Sequence, residues 1–413
     1  MQSTAIHVDL TAIERNVEAI RKSLAKSEQN SPGLCAILKA NAYGLGAARV
    51  AKRLSILGVD MIAVNTPEQA RELVEAAITS PILLLMPIRK LNRNDALYRA
   101  ASRGQIHFSI HDLDHLHAIM DVSHGLGITM PVHVELDTGM SRGGTNAAQA
   151  EQIVIRIREH RRLRLAGVYT HLACADVNAE RTEAQNAAFD AWLDRIGSIL
   201  PDDCLIHEAN TPATFRNSRY ARRMVRIGLG LFGYAREEFA DPDGFDRLDD
   251  ASTLSPALRM VSRVMQVKMI EAGAAVGYGS TWTAERPTRL ALVPVGYADG
   301  YPLALSNRGA VALARRDGSV AHAPVVGRVS MDQMTVDVTD LSAEDVRIGA
   351  EVEVIGARPD APNYLPTLAH AAGTTTYELL CRLNARLPRR YIALEEARSS
   401  TARTFAIGES MHA

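Results

Sequence analysis

Four side chains that could take part in acid–base or covalent chemistry follow or end short apolar runs of this sequence. They are Lys39, Arg142, His171 and Arg226. A lysine amine can form a Schiff base with a carbonyl, and a histidine can move protons near neutral pH. Taken singly, each has an ordinary structural explanation: a surface lysine, a hydrogen-bonded histidine, or an arginine in an ion pair. They indicate a site only if the fold brings them together.

The order of predicted elements shows how the fold could do so. Apolar residues recur at helical spacing from Leu10 to Leu24, with Asp9 and Thr11 as capping residues. Short strand-like runs then alternate with helical stretches, which favours a parallel (β/α)8 barrel of the TIM type; a doubly wound open sheet is the alternative. The predicted strands are Cys35–Leu38, Met61–Val64, Ile82–Met86, Ile106–Ile110, Val132–Leu136, Leu165–His171, Leu205–His207 and Met224–Ile227. The predicted helices between them include Ala47–Leu57, Pro67–Ala77, Ala147–Arg158 and Glu183–Ile199.

A barrel would place the four side chains on one rim. The catalytic residues of such barrels come from the C-terminal ends of the strands, and the loops after the last two strands often bind phosphate. Here the hydroxyl of Thr211 and the backbone N–H groups near Gly228 could hold a phosphate. A lysine beside a phosphate site fits a pyridoxal phosphate Schiff base or a sugar-phosphate aldolase. The positions alone do not choose between these two.

The pattern changes to strands with little helix after about residue 250. We therefore predict a barrel over 1–250, a mostly β domain over 251–396 and a tail over 397–413. Residues 237–250 form the connecting loop, and the first residues of the chain are available to pair with the β domain. The strands predicted in the β domain are Leu258–Ile270, Thr288–Val295, Ala323–Val329, Thr335–Val338 and Glu351–Ile355.

Composition excludes several classes of partner. The formal net charge is −1, with 46 basic and 47 acidic residues, so neither nucleic acid nor an anionic membrane is an expected partner. The four cysteines show no ligand spacing, which argues against a metal site or a disulfide framework. Neither a signal peptide nor an apolar run of membrane-spanning length is visible, so we expect a cytoplasmic protein.

A series of short motifs occurs in a characteristic order along the chain. The motifs are Ala36–Gly44, Asp137–Arg142, Thr170–His171, Val225–Gly228, Gly277–Gly279, Val295–Tyr301, Ser330–Gln333 and Thr376–Glu378. In this order they resemble the alanine racemase family, which consists of fold-type III pyridoxal-phosphate enzymes. The resemblance runs from about residue 6 to residue 392, across both predicted domains.

The resemblance implies a barrel followed by a β domain, working as a head-to-tail homodimer. It implies racemisation of L- and D-alanine on pyridoxal 5'-phosphate, supplying D-alanine for peptidoglycan or serving alanine catabolism. Lys39 would hold the cofactor as a Schiff base and act as one acid–base group. Tyr278, from the other chain, would be the second. Two groups make chemical sense, because inverting a stereocentre needs a proton removed from one face and returned to the other.

The resemblance also assigns the remaining site residues. Arg226 would face the pyridine nitrogen; because a guanidinium does not give up its proton, that nitrogen would stay unprotonated. His171 would support the catalytic tyrosine. The cofactor-binding residues implied are Lys39, Tyr43, Arg142, His171, Asn210, Thr211, Arg226, Gly228, Leu229 and Tyr377. The substrate-binding residues implied are Arg142, Tyr297, Met331 and Asp332.

Three positions depart from the family pattern. Glu135 occupies a position where the family often has a carbamylated lysine. A glutamate supplies the negative charge directly, so we expect no carbamate there and expect Glu135 to orient Arg142. Leu303 replaces an arginine common in the family, and Leu45 replaces a histidine.

Three alternatives stay open. The first is a racemase of broader or different specificity, acting on serine, lysine or arginine. The second is a non-catalytic pyridoxal phosphate carrier, although such proteins usually consist of the barrel alone. The third is a decarboxylase, which would need a catalytic cysteine in the second domain. Cys381 is the only cysteine there, and its apolar helical surroundings predict a core position.

Overall fold

The computed structural model describes residues 4–26, 31–235 and 253–393. The chain divides into two compact units, one of Glu14–Leu254 and one of Met1–Ile13 with Ser255–Ala413. The predicted boundary at 250, the predicted loop 237–250 and the predicted tail lie outside the described residues.

Strands and helices are numbered along the chain. The strands are β1 (Ala5–Asp9), β2 (Gly33–Ile37), β3 (Met61–Val64), β4 (Ile82–Leu84), β5 (Ile106–Ile110), β6 (Met130–Glu135), β7 (Leu163–Tyr169), β8 (Leu205–His207), β9 (Met224–Ile227), β10 (Leu258–Arg263), β11 (Gln266–Ile270), β12 (Ala275–Val276), β13 (Trp282–Thr283), β14 (Thr288–Val293), β15 (Ala310–Ala314), β16 (Val320–Pro324), β17 (Met334–Asp337), β18 (Glu351–Ile355) and β19 (Arg389–Ile392). The α-helices are α1 (Leu10–Leu24), α2 (Ala47–Ile56), α3 (Pro67–Glu75), α4 (Ala96–Ser102), α5 (Leu113–Leu126), α6 (Ala147–Glu159), α7 (Ala179–Ile196), α8 (Thr211–Arg216), α9 (Leu365–Ala371) and α10 (Thr376–Arg382).

The first unit is built on eight parallel strands. They follow the order β8-β7-β6-β5-β4-β3-β2-β9. The last of these strands in the chain, β9, therefore pairs with the first, β2. Between β8 and β9, the Arg223 N–H donates to the Ile206 carbonyl (3.0 Å) and the Arg226 N–H donates to the Ala209 carbonyl (2.9 Å). These bonds bring the two ends of the sheet together. The predicted barrel is confirmed, and the open doubly wound sheet is wrong.

Local sequence signals begin the barrel helices. An Asp, Asn or Thr side chain accepts a backbone N–H at the start of each capped helix, which satisfies donors that lack an intrahelical partner. These N-caps are Thr66 for α3, Asp95 for α4, Asp112 for α5, Asn146 for α6, Asn178 for α7 and Asn210 for α8. The helix α6 then buries Ala150, Ile153, Val154 and Ile157, a stripe at helical spacing.

Predicted strand ends agree with the structure at four of the eight barrel strands and differ by up to two residues at the others. The clearest difference is β7, which begins and ends two residues before the predicted Leu165–His171. Its pairing with β6 is irregular between Val132 and His133, where the register shifts. His171 therefore lies in the loop after the strand.

The second unit is mostly β, as predicted, with α9 and α10 added. Its larger sheet has the order β16-β15-β18-β10-β1-β19, beside a three-stranded sheet β11-β14-β17 and a hairpin of β12 and β13. The strand β1 pairs antiparallel with β10 and parallel with β19. The predicted single strand Leu258–Ile270 is wrong. The Val264 N–H bonds to Ala350 while the Met265 N–H bonds to Leu292, so the chain changes sheets between them.

Cys381 does not lie in the core, and that prediction is wrong. The helix α10 buries Thr376, Leu379 and Leu380, whereas Cys381 is exposed. Adjacent helical residues point about 100° apart, so a buried neighbour does not bury the next side chain. No helix in 4–26, 31–235 or 253–393 is long and apolar enough to cross a membrane.

Gly167 provides a test of the barrel packing. A Cβ at this position would overlap the His133 ring, with Cε1 at 2.7 Å, and would lie 2.9 Å from the Leu205 carbonyl oxygen. We expect Gly167→Ala to lower the free energy of unfolding by about 1–3 kcal/mol, because the barrel interior has no room for a methyl group.

The matched control is Gly125→Ala in α5, where a Cβ would meet nothing within 4 Å. This change should raise the free energy of unfolding by about 0.5–1 kcal/mol, since glycine is a poor helix residue. Urea unfolding of both variants measures the difference. Equal effects of the two substitutions would contradict the packing described here.

Candidate active site

The turn that follows Lys39 is left-handed. Ala40, Asn41, Ala42 and Tyr43 have φ between 50° and 58°, a region that costs an L-residue roughly 1–2 kcal/mol each. Backbone bonds hold the turn: the Ala42 N–H donates to Leu38 (3.1 Å) and the Gly44 N–H donates to Ala40 (2.8 Å). The Asn41 carboxamide accepts the Ala47 N–H at 2.6 Å and joins the turn to α2. The turn reverses the chain directly after β2, so Lys39 stays at the strand end.

A small polar cradle lies where this turn meets the last strand. The Thr211 hydroxyl accepts the Gly228 N–H at 3.0 Å and can donate its own hydrogen outward. A Cβ on Gly228 would overlap the Tyr43 hydroxyl, so only glycine allows that hydroxyl to lie this close to the backbone of residue 228. The 3₁₀ turn Leu229–Phe232 begins here, and the first N–H groups of a helix lack intrahelical partners. Hydroxyls and the N–H groups at the start of a helical turn suit an anion such as phosphate.

Arg226 is buried inside the barrel and is surrounded by acceptors. One terminal nitrogen donates to the Nδ1 and the carbonyl of His207, both at 2.9 Å. The other donates to the Thr170 carbonyl (2.8 Å), to His171 Nδ1 (3.1 Å) and to the Glu208 carbonyl (3.2 Å). Its guanidinium also lies over the Tyr169 ring, 5.2 Å from the centroid. Burial lowers the pKa of Arg226, but a guanidinium remains protonated in proteins.

These bonds leave one donor of Arg226 available. The terminal nitrogens have acceptors for all their hydrogens, whereas Nε–H donates to no residue in the described part of the chain. That hydrogen can therefore serve a bound molecule. An arginine with one donor free fits an acceptor such as an unprotonated ring nitrogen.

The tautomer of His171 is fixed by Arg226. Because a guanidinium only donates, His171 Nδ1 must accept, and the ring hydrogen must be on Nε2. Burial lowers the pKa of His171 to about 3, and the positive charges of Arg226, Arg142 and Lys39 contribute. His171 is therefore neutral at physiological pH. The charges of Lys39, Arg142 and Arg226 thus all act on His171, and Arg226 also contacts its ring.

A chain of imidazoles runs from Arg226 along the barrel interior. His207 Nε2 bonds to His133 Nδ1 at 3.0 Å, and His133 Nε2 bonds to His107 Nδ1 at 2.9 Å. Since Arg226 donates to His207 Nδ1, each ring donates through Nε2 to the next one. Burial lowers the pKa of all three histidines, to about 4 for His107, so they are neutral donors and acceptors.

Glu135 has different partners from those we expected. Its Oε2 lies 2.8 Å from His111 Nδ1 and accepts the Tyr169 hydroxyl at 3.1 Å. Arg142 is exposed, and no bond between it and Glu135 occurs in the described residues. The prediction that Glu135 directly orients Arg142 is therefore wrong. Burial, then the neighbouring Glu135 carboxylate, raises the pKa of Tyr169 well above 10, so this phenol stays protonated.

Arg142 is carried by the loop after β6. The Asp137 carboxylate accepts the N–H groups of Gly139 (2.9 Å) and Ser141 (3.0 Å), which folds the first half of the loop. The loop closes where the Asp137 N–H donates to the Thr145 carbonyl at 2.9 Å and the Thr145 N–H donates to the Glu135 carbonyl at 3.2 Å. The Arg142 guanidinium is exposed to solvent and can bind an anionic ligand.

In the second unit, Tyr278 lies at the tip of the hairpin β12–β13. It is 72% exposed and is flanked by Gly277 and Gly279, both with positive φ. Underneath, Trp282 packs with Val276 on a small apolar cluster. The hairpin therefore presents the phenol outward on a supported base.

The remaining predicted site residues of this unit lie on two motifs and one helix. A Cβ on Gly296 would overlap the backbone of Met331, so the segments 295–301 and 330–333 pack backbone to backbone. Tyr297 and Met331 are exposed beside this contact. Asp332 accepts a hydrogen bond from Arg386 at 2.7 Å, and this pairing was not predicted. Tyr377 lies on α10.

The ends of the predicted strands did not reveal the polar residues that lie within the barrel strands. A signal was present, because polar residues alternate with apolar ones inside the strands. The pattern appears as His107 and Ser109 in β5, His133 and Glu135 in β6, and Tyr169 at the end of β7. In a barrel, alternate strand residues point to the interior.

Known proteins match most of this chain, across both units. Two family models match, "Alanine racemase, N-terminal domain" over residues 8–236 and "Alanine racemase, C-terminal domain" over residues 257–391. The alanine racemase of Cutibacterium acnes is 35% identical over 388 residues, covering 93% of this chain and 96% of the relative. The crystal structure of alanine racemase from Streptomyces lavendulae is 29% identical with a TM-score of 0.82, covering 96% of this chain and 99% of that one. A Bartonella henselae alanine racemase structure, described with covalently bound pyridoxal phosphate, is 27% identical with a TM-score of 0.77, covering 95% and 100%.

The left-handed turn makes a stability prediction. Ala40 is exposed with φ of 50°, so Ala40→Gly should raise the free energy of unfolding by about 1 kcal/mol, because glycine adopts this region without steric strain. The control is Ala48→Gly in α2, which should lower it by about 0.5–1 kcal/mol. Chemical unfolding measures both changes. A loss of stability in Ala40→Gly as large as in the control would count against strain in the turn.

Proposed function

The chain belongs to the alanine racemase family of pyridoxal-phosphate-dependent isomerases, and from this premise we propose that it interconverts L- and D-alanine by a two-base mechanism. The observation that carries the proposal is the group formed by Lys39, His171 and Arg226 beside the Thr211–Gly228 cradle. It joins an amine, a buried arginine with one unused donor and an anion site on one barrel rim.

The residues present fit pyridoxal 5'-phosphate. Lys39 would hold it covalently through its amine, and Arg226 would offer its Nε–H to the ring nitrogen. Tyr43, Thr211, Gly228 and Leu229 would hold the phosphate, together with Tyr377, while Arg142 and Asn210 contact the rest of the ring. When bound, the cofactor withdraws electron density from the α-carbon of an attached amino acid and makes its α-proton acidic.

The chain supplies two groups to move that proton. The Lys39 amine serves one face of the α-carbon, and the Tyr278 phenol of a second copy of the chain serves the other. Tyr278 suits this role because it is exposed at a hairpin tip and is available to a neighbouring molecule. The Nε2–H of His171 can stabilise the phenolate that forms, since its Nδ1 is already occupied by Arg226. The working enzyme is accordingly a homodimer with shared sites.

The substrate carboxylate has its own binding groups. Arg142 can pair with it, and the backbone N–H of Met331 can donate to it. Tyr297 would border the substrate. Asp332 is placed near the substrate by family likeness, and its pairing with Arg386 would fix its orientation.

Alanine is the substrate that the comparisons favour, because the matched relatives and structures are named alanine racemases. The product D-alanine would supply peptidoglycan, or L-alanine would be formed for catabolism. A racemase acting on serine, lysine or arginine is the second candidate. A pocket that fits a methyl group excludes longer side chains by sterics.

The two-base mechanism is tested by racemising L-alanine in D₂O. Because different groups remove and return the proton, the first D-alanine formed should carry deuterium at the α-carbon, while the remaining L-alanine stays protiated. Mass spectrometry of the separated enantiomers at low conversion measures this. D-Alanine that retains the original hydrogen would show a single base. The same assay with serine, lysine and arginine separates the two substrate candidates, and Lys39→Ala is the inactive control.

The shared site is tested by mixing two inactive variants, Lys39→Ala and Tyr278→Phe. If each site takes Lys39 from one chain and Tyr278 from the other, a mixed dimer contains one intact site. Statistical exchange at equal concentrations should then restore about one quarter of the wild-type racemase activity. Mixing either variant with itself is the control. Continued inactivity of an exchanged mixture would show that both residues must come from one chain.

A further inference from the structure

His111 is the partly buried partner of Glu135, and one of its ring nitrogens always carries a hydrogen. Its Nε2 lies 2.8 Å from the Leu85 carbonyl oxygen, which can only accept. That nitrogen therefore carries a hydrogen in every protonation state. Titration of His111 takes place at Nδ1.

Nδ1 lies within reach of two partners with opposite requirements. The Glu135 carboxylate oxygen at 2.8 Å needs a hydrogen on Nδ1, whereas the Gly144 N–H at 3.2 Å needs a lone pair there. One nitrogen cannot satisfy both at once. Protonated His111 binds Glu135, and neutral His111 binds the loop at Gly144.

The loop at Gly144 is the one that carries Arg142, and it packs closely against Glu135 and His111. A Cβ on Gly143 would lie 3.0 Å from the Glu135 carboxylate and 3.3 Å from His111 Nδ1. On Gly144, with φ of 80°, it would lie 2.8 Å from the Glu135 carbonyl oxygen. Gly143 and Gly144, the first residues of the returning limb of the loop, therefore lie against the His111–Glu135 pair, one and two residues after Arg142.

We propose that His111 is a positioning residue for Arg142, holding the loop in its substrate-binding form when Nδ1 accepts the Gly144 N–H. Loss of that bond in protonated His111 releases the returning limb and weakens carboxylate binding at Arg142. The inference rests on the proposed function, in which Arg142 binds the substrate carboxylate.

The groups around His111 set the direction of the pH dependence. Burial lowers the pKa of His111, but the hydrogen bond and charge of Glu135, the Leu85 carbonyl and the charge of Asp112 outweigh it and raise the pKa above 6.5. His115 stacks on the ring at 5.9 Å, and burial lowers its pKa to about 4, so it is neutral in this range. Tyr169, on the far side of Glu135, stays protonated. Substrate binding should therefore improve as the pH rises through a value above 6.5.

The test measures KM for L-alanine and inhibition by propionate, an alanine analogue without the amine, as functions of pH in the holoenzyme. In the wild type, both constants should fall by about twofold to tenfold through the His111 transition, the worth of one hydrogen bond, with kcat following a separate profile. His111→Asn keeps an amide near Nδ1 but does not titrate, so it should remove this inflection. Glu135→Gln removes the charge that raises the pKa, so it should move the inflection to lower pH. His124→Asn, an exposed histidine on α5, is the matched control and should keep the wild-type profile.

A spectroscopic measurement makes the test independent of turnover. In ¹⁵N-histidine-labelled holoenzyme, the Nδ1 resonance missing in His111→Asn should titrate at the pH of the KM inflection. The proposal fails if the KM and propionate profiles of His111→Asn superimpose on those of the wild type, or if that resonance titrates elsewhere. Failure of the proposed function would look different, because the wild type would then racemise alanine at no pH.

Discussion

The buried positive charge of Arg226 determines the hydrogen bonding of the barrel interior. A buried charge is tolerated only when its hydrogen bonds are made, and a guanidinium can only donate. The interior is accordingly built from acceptors: three backbone carbonyls, the Nδ1 atoms of His171 and His207, and the face of Tyr169. The direction of donation then propagates outward, because each histidine that accepts from one side must donate on the other. One arginine thus decides the tautomers of residues that it does not touch.

The same reasoning separates two zones around the site. On the Arg226 side, the histidines are neutral and their hydrogens are fixed, so this part of the interior does not respond to pH near neutrality. On the Glu135 side, His111 faces a carboxylate and a backbone N–H with conflicting demands. The end of the site that we propose for the cofactor is therefore electrostatically constant, while the end that we propose for the substrate carboxylate contains a group that can change state.

Much of this arrangement follows from the sequence, and the exceptions have physical causes. Short apolar runs separated by helical stretches predicted the barrel strands, because strands such as β3, β5 and β9 are buried at every position. The run Leu258–Ile270 was predicted as one strand because no Gly, Pro, Asn or Asp marks the change of sheets after Val264. The ends of the strands led to Lys39, His171 and Arg226. The partners of Glu135 and Asp332 were not predictable, since His111 and Arg386 are distant in sequence and meet only through the tertiary fold.

The left-handed turn after Lys39 has a stereochemical consequence. Four consecutive L-residues adopt backbone angles that are the mirror image of the ordinary helix, at a combined cost of roughly 4–8 kcal/mol. In this short stretch, D-amino acids would be the unstrained building blocks. In a chain made by chemical ligation, D-alanine at positions 40 and 42 would therefore adopt the existing backbone angles without steric strain. Strain of this size persists only because strand β2 and helix α2 hold both ends of the turn, so an excised peptide of the same sequence should lose the turn altogether.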